Sequence, residues 1–182
     1  MRITIISGKG GTGKTTLAYL LTMALTKAGQ AVAIEDADPQ GSLEQLARAS
    51  DWISGSGAGI TIVDTPPKID SQQVLRAIGQ ADRILVPTSP SPMDLMAVRA
   101  TMDVIKQTKK RSAGTLVVIN KMRGGTAFGA AAEGMLDDLG FPVASTIIPE
   151  RQGIQRAMVG GWSAMDSQTR EALLSLALEA IS

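Results

Sequence analysis

The sequence predicts an α/β fold of three layers, a parallel twisted sheet with helices on both faces, in a single domain spanning residues 1–182. Two patterns carry that expectation. Short β-branched runs alternate with stretches of helical periodicity, as repeated βα units do. The first such run ends in a glycine-rich segment that opens a helix, the place where a doubly wound sheet takes its ligand. A chain of 182 residues can bury a core of this kind without disulfides or a structural metal.

Strands are expected at Arg2–Ser7, Ala31–Glu35, Ile60–Asp64, Arg83–Pro87, Thr115–Asn120 and Val143–Ile147. Helices are expected at Lys14–Ala28, Ser42–Arg48, Ser71–Gly79, Pro92–Lys109, Ala127–Leu139, Gly153–Val159 and Ser167–Ala180. The helix at Pro92 has Ser91 as N-cap, proline at its first position and Asp94 in its first turn. The helix from Lys14 stops at Ala28-Gly29, a glycine terminus. Ser54–Gly59 reads as a flexible loop within the domain.

Composition removes whole classes of chemistry. There is no cysteine and no histidine, so thiolate and imidazole metal sites, iron–sulfur clusters, cysteine nucleophiles and histidine triads cannot be built. Two Trp, one Tyr and two Phe are too few for a base-stacking platform. Apolar runs such as Leu116–Ile119 are too short to span a bilayer, and the opening residues lack a secretory core, so a cytoplasmic location is expected. The net charge of +1 hides an asymmetry: Arg99 to Arg123 holds seven basic residues against one acid, Asp103, whereas beyond Gly124 seven carboxylates face three arginines.

After the first strand comes Gly8-Lys9-Gly10-Gly11-Thr12-Gly13-Lys14-Thr15-Thr16, which matches G-x-x-x-x-G-K-[ST] in strand–loop–helix context. Such glycines let backbone N–H groups curl around phosphates while the helix directs its positive end at them. Lys14 is expected to reach the β- and γ-phosphates and the Thr15 hydroxyl to hold Mg²⁺. The third expected strand, Ile60-Thr61-Ile62-Val63, closes on Asp64, the Walker B form, placing that carboxylate to bind Mg²⁺ through water. The following Thr65-Pro66-Pro67 is a candidate switch segment. The fifth ends Asn120-Lys121-Met122-Arg123, where a guanine reader would need an acceptor at Arg123; a donor there favours ATP, with Asn120 as an adenine contact.

Lys9 is not required by the general motif. With it, Lys9-Gly10-Gly11-Thr12-Gly13-Lys14-Thr15-Thr16 resembles the deviant Walker A of the ParA/MinD family of P-loop ATPases, K-G-G-x-G-K-[ST]-T. The resemblance implies that Lys9 crosses an ATP-sandwiched homodimer to the partner's nucleotide, supplying charge in trans as an arginine finger does. Asp36-Ala37-Asp38-Pro39-Gln40 resembles the family's D-x-D-P-Q element, which implies that Asp38 orients the attacking water and Asp36 ties into the Mg²⁺ shell. Ile148-Pro149-Glu150-Arg151 resembles its loop beside the base, bringing Pro149 to the nucleotide. The catalytic set so implied is Lys9, Lys14 and Asp38.

The family resemblance implies a small ParA-type partition ATPase. Its ATP-bound dimer would bind DNA without sequence preference, segregate plasmid or chromosome or position another cargo, and hydrolyse ATP on stimulation by a ParB-like or adaptor protein. A nucleoid-associated location follows from that reading. Candidate DNA contacts are Lys106, Lys109, Lys110 and Arg111 in the basic sector and, toward the carboxyl end, Arg151 and Arg156. The lysine cluster also suits a helix C-terminus, and the sequence supports both readings. Membrane cycling of the MinD kind would need a basic amphipathic tail, but Arg170–Ser182 is apolar with two glutamates and is expected to pack on the sheet. A dethiobiotin-synthetase-like ligase is the rival from another class; Lys9 and the D-x-D-P-Q match speak against it.

Overall fold

The computed structural model describes residues 1–49, 58–108, 114–122, 134, 136, 140 and 142–182. Strands β1 (Arg2–Ile5), β2 (Val32–Asp36), β3 (Ile60–Asp64), β4 (Arg83–Thr88) and β5 (Thr115–Ile119) form one sheet in the order β2-β3-β1-β4-β5. All four pairings are parallel. The helices among the described residues are α1 (Lys14–Lys27), α2 (Ser42–Ala49), α3 (Gln72–Gln80), α4 (Pro92–Thr108), α5 (Gln152–Gly160) and α6 (Ser167–Ile181). A 3-10 turn at Trp162–Ala164 joins the last two.

Alternation along the strands makes the three layers. Leu85 and Val118 join Ile3 and Ile5 in a core with α1 and α6, whereas Ile84, Val86, Val117 and Ile119 join a second core under α3 and α4. Both faces are covered, which is why these strands read as continuous apolar runs. Each fully buried Leu or Ile contributes about 1.5–3 kcal/mol, so these two cores are the main source of stability. Helix α6 buries Leu173, Leu176, Ala177 and Ala180 in the first core, as expected of a segment packed on the sheet. No helix among the described residues is long and apolar enough to cross a membrane.

Most of the punctuation read from the sequence is realised. The Ser91 hydroxyl accepts the Asp94 N–H at 3.2 Å at the start of α4, and Ser71 caps α3 through Val74 N–H at 3.3 Å. Helix α1 ends in a Schellman turn: Gly29 takes φ 81°, and its N–H and that of Gln30 reach back to Thr26 and Leu25 carbonyls at 3.0 Å each.

One element differs. Val143–Ile147 is not a sixth strand: only Val143 bridges to Val117. The cause is Glu179 on α6, whose carboxylate takes the Ser145 N–H at 2.9 Å and the Thr146 hydroxyl, holding these residues away from a ladder. The chain rejoins the sheet edge at Ile148, whose N–H donates to Ile119 O at 2.9 Å. The helix expected over Ala127–Leu139 falls largely outside the described residues, of which residues 134 and 136 are helical. The Ser54–Gly59 loop lies outside them except for Ala58 and Gly59.

Candidate nucleotide-binding site

Strand β1 is central, and the chain leaves its carboxyl end into residues 8–13 before α1 begins. Gly11 and Gly13 take φ 80° and 90°, in the left-handed region open to glycine. At Gly13 a β-carbon would also stand 2.6 Å from Asn120 Nδ2, so the turn leaves it no room. Helix α1 has neither a side-chain cap nor an acid in its first turn. Its leading N–H groups are therefore left for an anion seated in the loop.

Parallel register brings Asp36 of β2 opposite Asp64 of β3 at this same edge, and Ile5 of β1 opposite Asp64 from the other side. Asp64 is fully buried and accepts the Thr15 hydroxyl at 2.6 Å and the Thr65 N–H at 3.0 Å. Burial pushes its carboxyl up to about 6; the Thr15 bond works against this, and the charge of Asp36 adds to it. Lys14 is 8% exposed, and burial lowers its ammonium while the charges of Asp64 and Asp38 oppose that shift. Two buried charges of opposite sign, both poorly solvated, leave the loop electrostatically unfinished until phosphate and cation arrive.

The donor chemistry fits Mg²⁺. Thr15 and Asp64 provide hard oxygens side by side, and among the described residues no group of three or more acidic side chains forms a ready-made cage. That is the pattern of a cation shared with substrate phosphates and water. Asp36 commits its oxygens to backbone: Oδ1 to Asp38 N–H at 3.1 Å, Oδ2 to Leu43 N–H at 2.8 Å and Glu44 N–H at 3.2 Å. It thus anchors the start of α2 beside the cation position. Asp38 sits in the turn so formed, its Oδ1 accepting Gln40 N–H at 3.0 Å, and lines the cleft with Lys14 and Thr15.

The cleft measures about 480 Å³, within the range of small-molecule sites. Its lining combines Gly11, Gly13, Lys14, Thr15, Thr16 and Asp38 with an apolar wall of Leu17, Leu20, Pro149 and Ile154. Asn120 also lines it, but its amide is engaged: Nδ2 donates to Thr12 O at 2.9 Å, and Oδ1 accepts Lys121 N–H at 2.9 Å. Lys121, with φ 57°, extends its ammonium to Gly11 O at 2.6 Å. These two residues brace the phosphate loop, a role that sequence reading missed for Lys121. The Arg123 position that argued against guanine lies outside the described residues.

The remaining candidates scatter. Gly8 donates its N–H to Thr101 Oγ1 on α4 at 3.2 Å, and Gly10 is exposed. Lys9 pairs with Asp94 of its own chain. Arg151 lines the nucleotide cleft and is tied to Gln168 and, at 3.7 Å, to Asp166. Arg156 is exposed on α5, bonded to Gln152 at 3.4 Å. Lys106 lies in the last turn of α4, at the end of the sheet away from the cleft; Lys109, Lys110 and Arg111 lie outside the described residues. Of the described members of the candidate DNA set, Lys106 therefore stands at the other end of the sheet from Arg151, which lines the cleft.

Asp64 gives a pH signature. In the nucleotide- and metal-free protein its folded pKa exceeds the ordinary value of 3.8, so ionising it costs the folded state as pH rises from about 4 through about 6. Asp64→Asn removes that cost. The variant is expected to exceed the wild type in apo stability by about 2–3 kcal/mol at pH 7, with the gap closing below pH 4, measured by denaturant titration across pH. A gap independent of pH counts against a strained Asp64 carboxylate.

The arrangement defines a P-loop nucleotide-binding fold. The model of the CobQ/CobB/MinD/ParA nucleotide-binding domain (CbiA) matches residues 3–161, and the chain belongs to this family. It is 29% identical over 181 residues to "Maintenance of carboxysome distribution protein A" of Halothiobacillus neapolitanus, covering 85% of this chain and 82% of that one. Among solved structures it resembles apo McdA of Cyanothece, with TM-score 0.79 and 20% identity over 100% of this chain and 99% of that one. It also resembles the cell-division protein MinD of Aquifex aeolicus, with TM-score 0.76 and 21% identity over 99% and 96%.

Proposed function

We propose that this chain is a Mg²⁺-dependent ATPase acting as a nucleotide-switched homodimer that positions a large cargo along DNA, with hydrolysis stimulated by a partner protein. The observation that carries the reading is the second lysine of the phosphate loop. Lys14 is buried in the cleft and suffices to grip the β- and γ-phosphates. Lys9, on the same loop, does not line the cleft: its side chain is 40% exposed and turned to Asp94 of α4, so the chain's own nucleotide does not claim it.

In this reading Thr15 and Asp64 would hold Mg²⁺, with Asp36 anchoring α2 and acting on the cation through water; bound there, the cation would supply positive charge against the phosphates. Asp38 orients the attacking water from the turn that Asp36 fixes, a task of position rather than basicity. Lys9 of each protomer adds positive charge to the other's γ-phosphate. The apolar wall of Leu17, Leu20, Pro149 and Ile154 takes the adenine face. The likeness to a carboxysome distribution protein over most of both chains supports cargo positioning over plasmid segregation.

The DNA half of the reading is tested with a random-sequence duplex in four states: no nucleotide, ADP, ATP and a non-hydrolysable analogue. Binding is expected only with ATP or the analogue, weakening steeply with salt. Arg156→Ala is expected to flatten the salt slope by about one counterion. No binding in any state, with ATP-dependent dimers still forming, would replace DNA with a protein scaffold.

A further inference from the structure

Lys9 is engaged before any second copy arrives, and its partner is built for release. Its ammonium pairs with Asp94, in the first turn of α4. Asp94 has three further supports: the Ser89 hydroxyl donates to it, it stands over the Ser91 cap, and it lies at the positive end of α4. Partial burial pushes its carboxyl up, but the bonds from Lys9, Ser89 and Ser91 together with the Lys9 charge hold it below the usual carboxylate range. The two members are unequal, since the Lys9 side chain is 40% exposed and that of Asp94 10%. If Lys9 leaves, Asp94 keeps a hydroxyl and a helix terminus for its charge, and Lys9 passes into water or onto another anion. Neither is stranded, as one partner of a fully buried pair would be.

The same face of α4 grips the loop a second time. Thr101, two turns beyond Asp94 and fully buried, accepts the Gly8 N–H at 3.2 Å. Helix α4 therefore lies along Gly8 and Lys9, the two residues that open the phosphate loop. At the same end of α4, Met93 and Met96 are 73% and 76% exposed in the single chain.

We propose that Asp94 is a cis latch: it holds Lys9 against its own α4 and competes with the partner protomer's nucleotide for that ammonium, setting how readily ATP produces the dimer. The inference rests on the dimer reading above and adds an opposing contact to it. The latch contact and the trans contact compete, because the charge and the three donors of one ammonium are divided between Asp94 and any phosphate that it meets. Removing the Asp94 charge favours the dimer. Removing Ser89 has the reverse effect, because Asp94 then depends more heavily on Lys9.

Two measurements separate the latch from the dimer. The first is the acylation rate of Lys9 in nucleotide-free protein, followed by peptide mass spectrometry with exposed Lys27 as internal reference. Asp94→Asn is expected to raise it about fivefold or more. The second is the ATP-dependent dimerisation constant from light scattering over a concentration series. Asp94→Asn is expected to tighten it about fivefold or more and Ser89→Ala to weaken it. A merely structural role would move both variants in the same direction. Unchanged Lys9 reactivity in Asp94→Asn, or a weaker dimer in that variant, overturns the latch. A wild type that stays monomeric with ATP overturns the dimer reading, while the reactivity comparison still decides whether Asp94 holds Lys9.

Discussion

Lys14→Ala is expected to abolish ATP binding, weakening it about 100-fold or more, while the apo protein still folds. Burial depresses the Lys14 ammonium against the charges of Asp64 and Asp38, and Lys14 lines the cleft where the phosphates would seat. Its desolvation cost is already met in the apo fold, so the whole electrostatic gain on meeting phosphate goes into affinity. Truncation removes that gain and leaves the Asp64 charge facing the incoming anion. Equilibrium titration with a fluorescent ATP analogue measures the loss. Near-wild-type affinity would mean that the loop amides alone hold the phosphates and that Lys14 is structural.

Asp38→Ala is expected to keep ATP binding and lower steady-state turnover about 100- to 1,000-fold. Its Oδ1 only tightens the turn through Gln40 N–H, and the start of α2 is held by Asp36. The turn therefore survives the change, and the loss falls on the group that faces the phosphates. A small rise in affinity is also expected, because one of the like charges near the polyphosphate is gone. Phosphate release and nucleotide binding, measured on the same preparation, separate the two effects. Normal turnover in this variant would assign water orientation elsewhere.

How legible this was in the sequence depended on how local each signal is. The phosphate loop with its strand–loop–helix context and the glycine stop at Gly29 are written in consecutive residues, and the structure follows them. Asp64 could be placed from one apolar run and its closing acid. Contacts across the sheet were not legible. The pairing of Lys9 with Asp94 joins residues 85 apart, and the sequence showed Asp94 only as an acid in a first helical turn. Glu179 is 34 residues from the backbone it captures, so the lost sixth strand could not be foreseen from the apolar pattern of Val143–Ile147. Asn120, read as an adenine contact, lines the cleft, but its amide braces Thr12, because the strand end and the loop stand closer than residue types reveal. Lys121 carried a signal too, a lysine directly after a strand and before the base loop, yet its left-handed turn toward Gly11 is a property of the folded chain.

The most direct measurement is the solution mass of the Asp38→Ala protein with saturating ATP and Mg²⁺, alongside the same protein carrying Lys9→Ala. With turnover suppressed, any ATP-formed species persists long enough to weigh. The nucleotide switch requires a monomer without nucleotide and with ADP, a dimer with ATP, and a monomer again when Lys9 is removed. A monomer in every state, or a dimer that forms equally well without ATP or without Lys9, would contradict it.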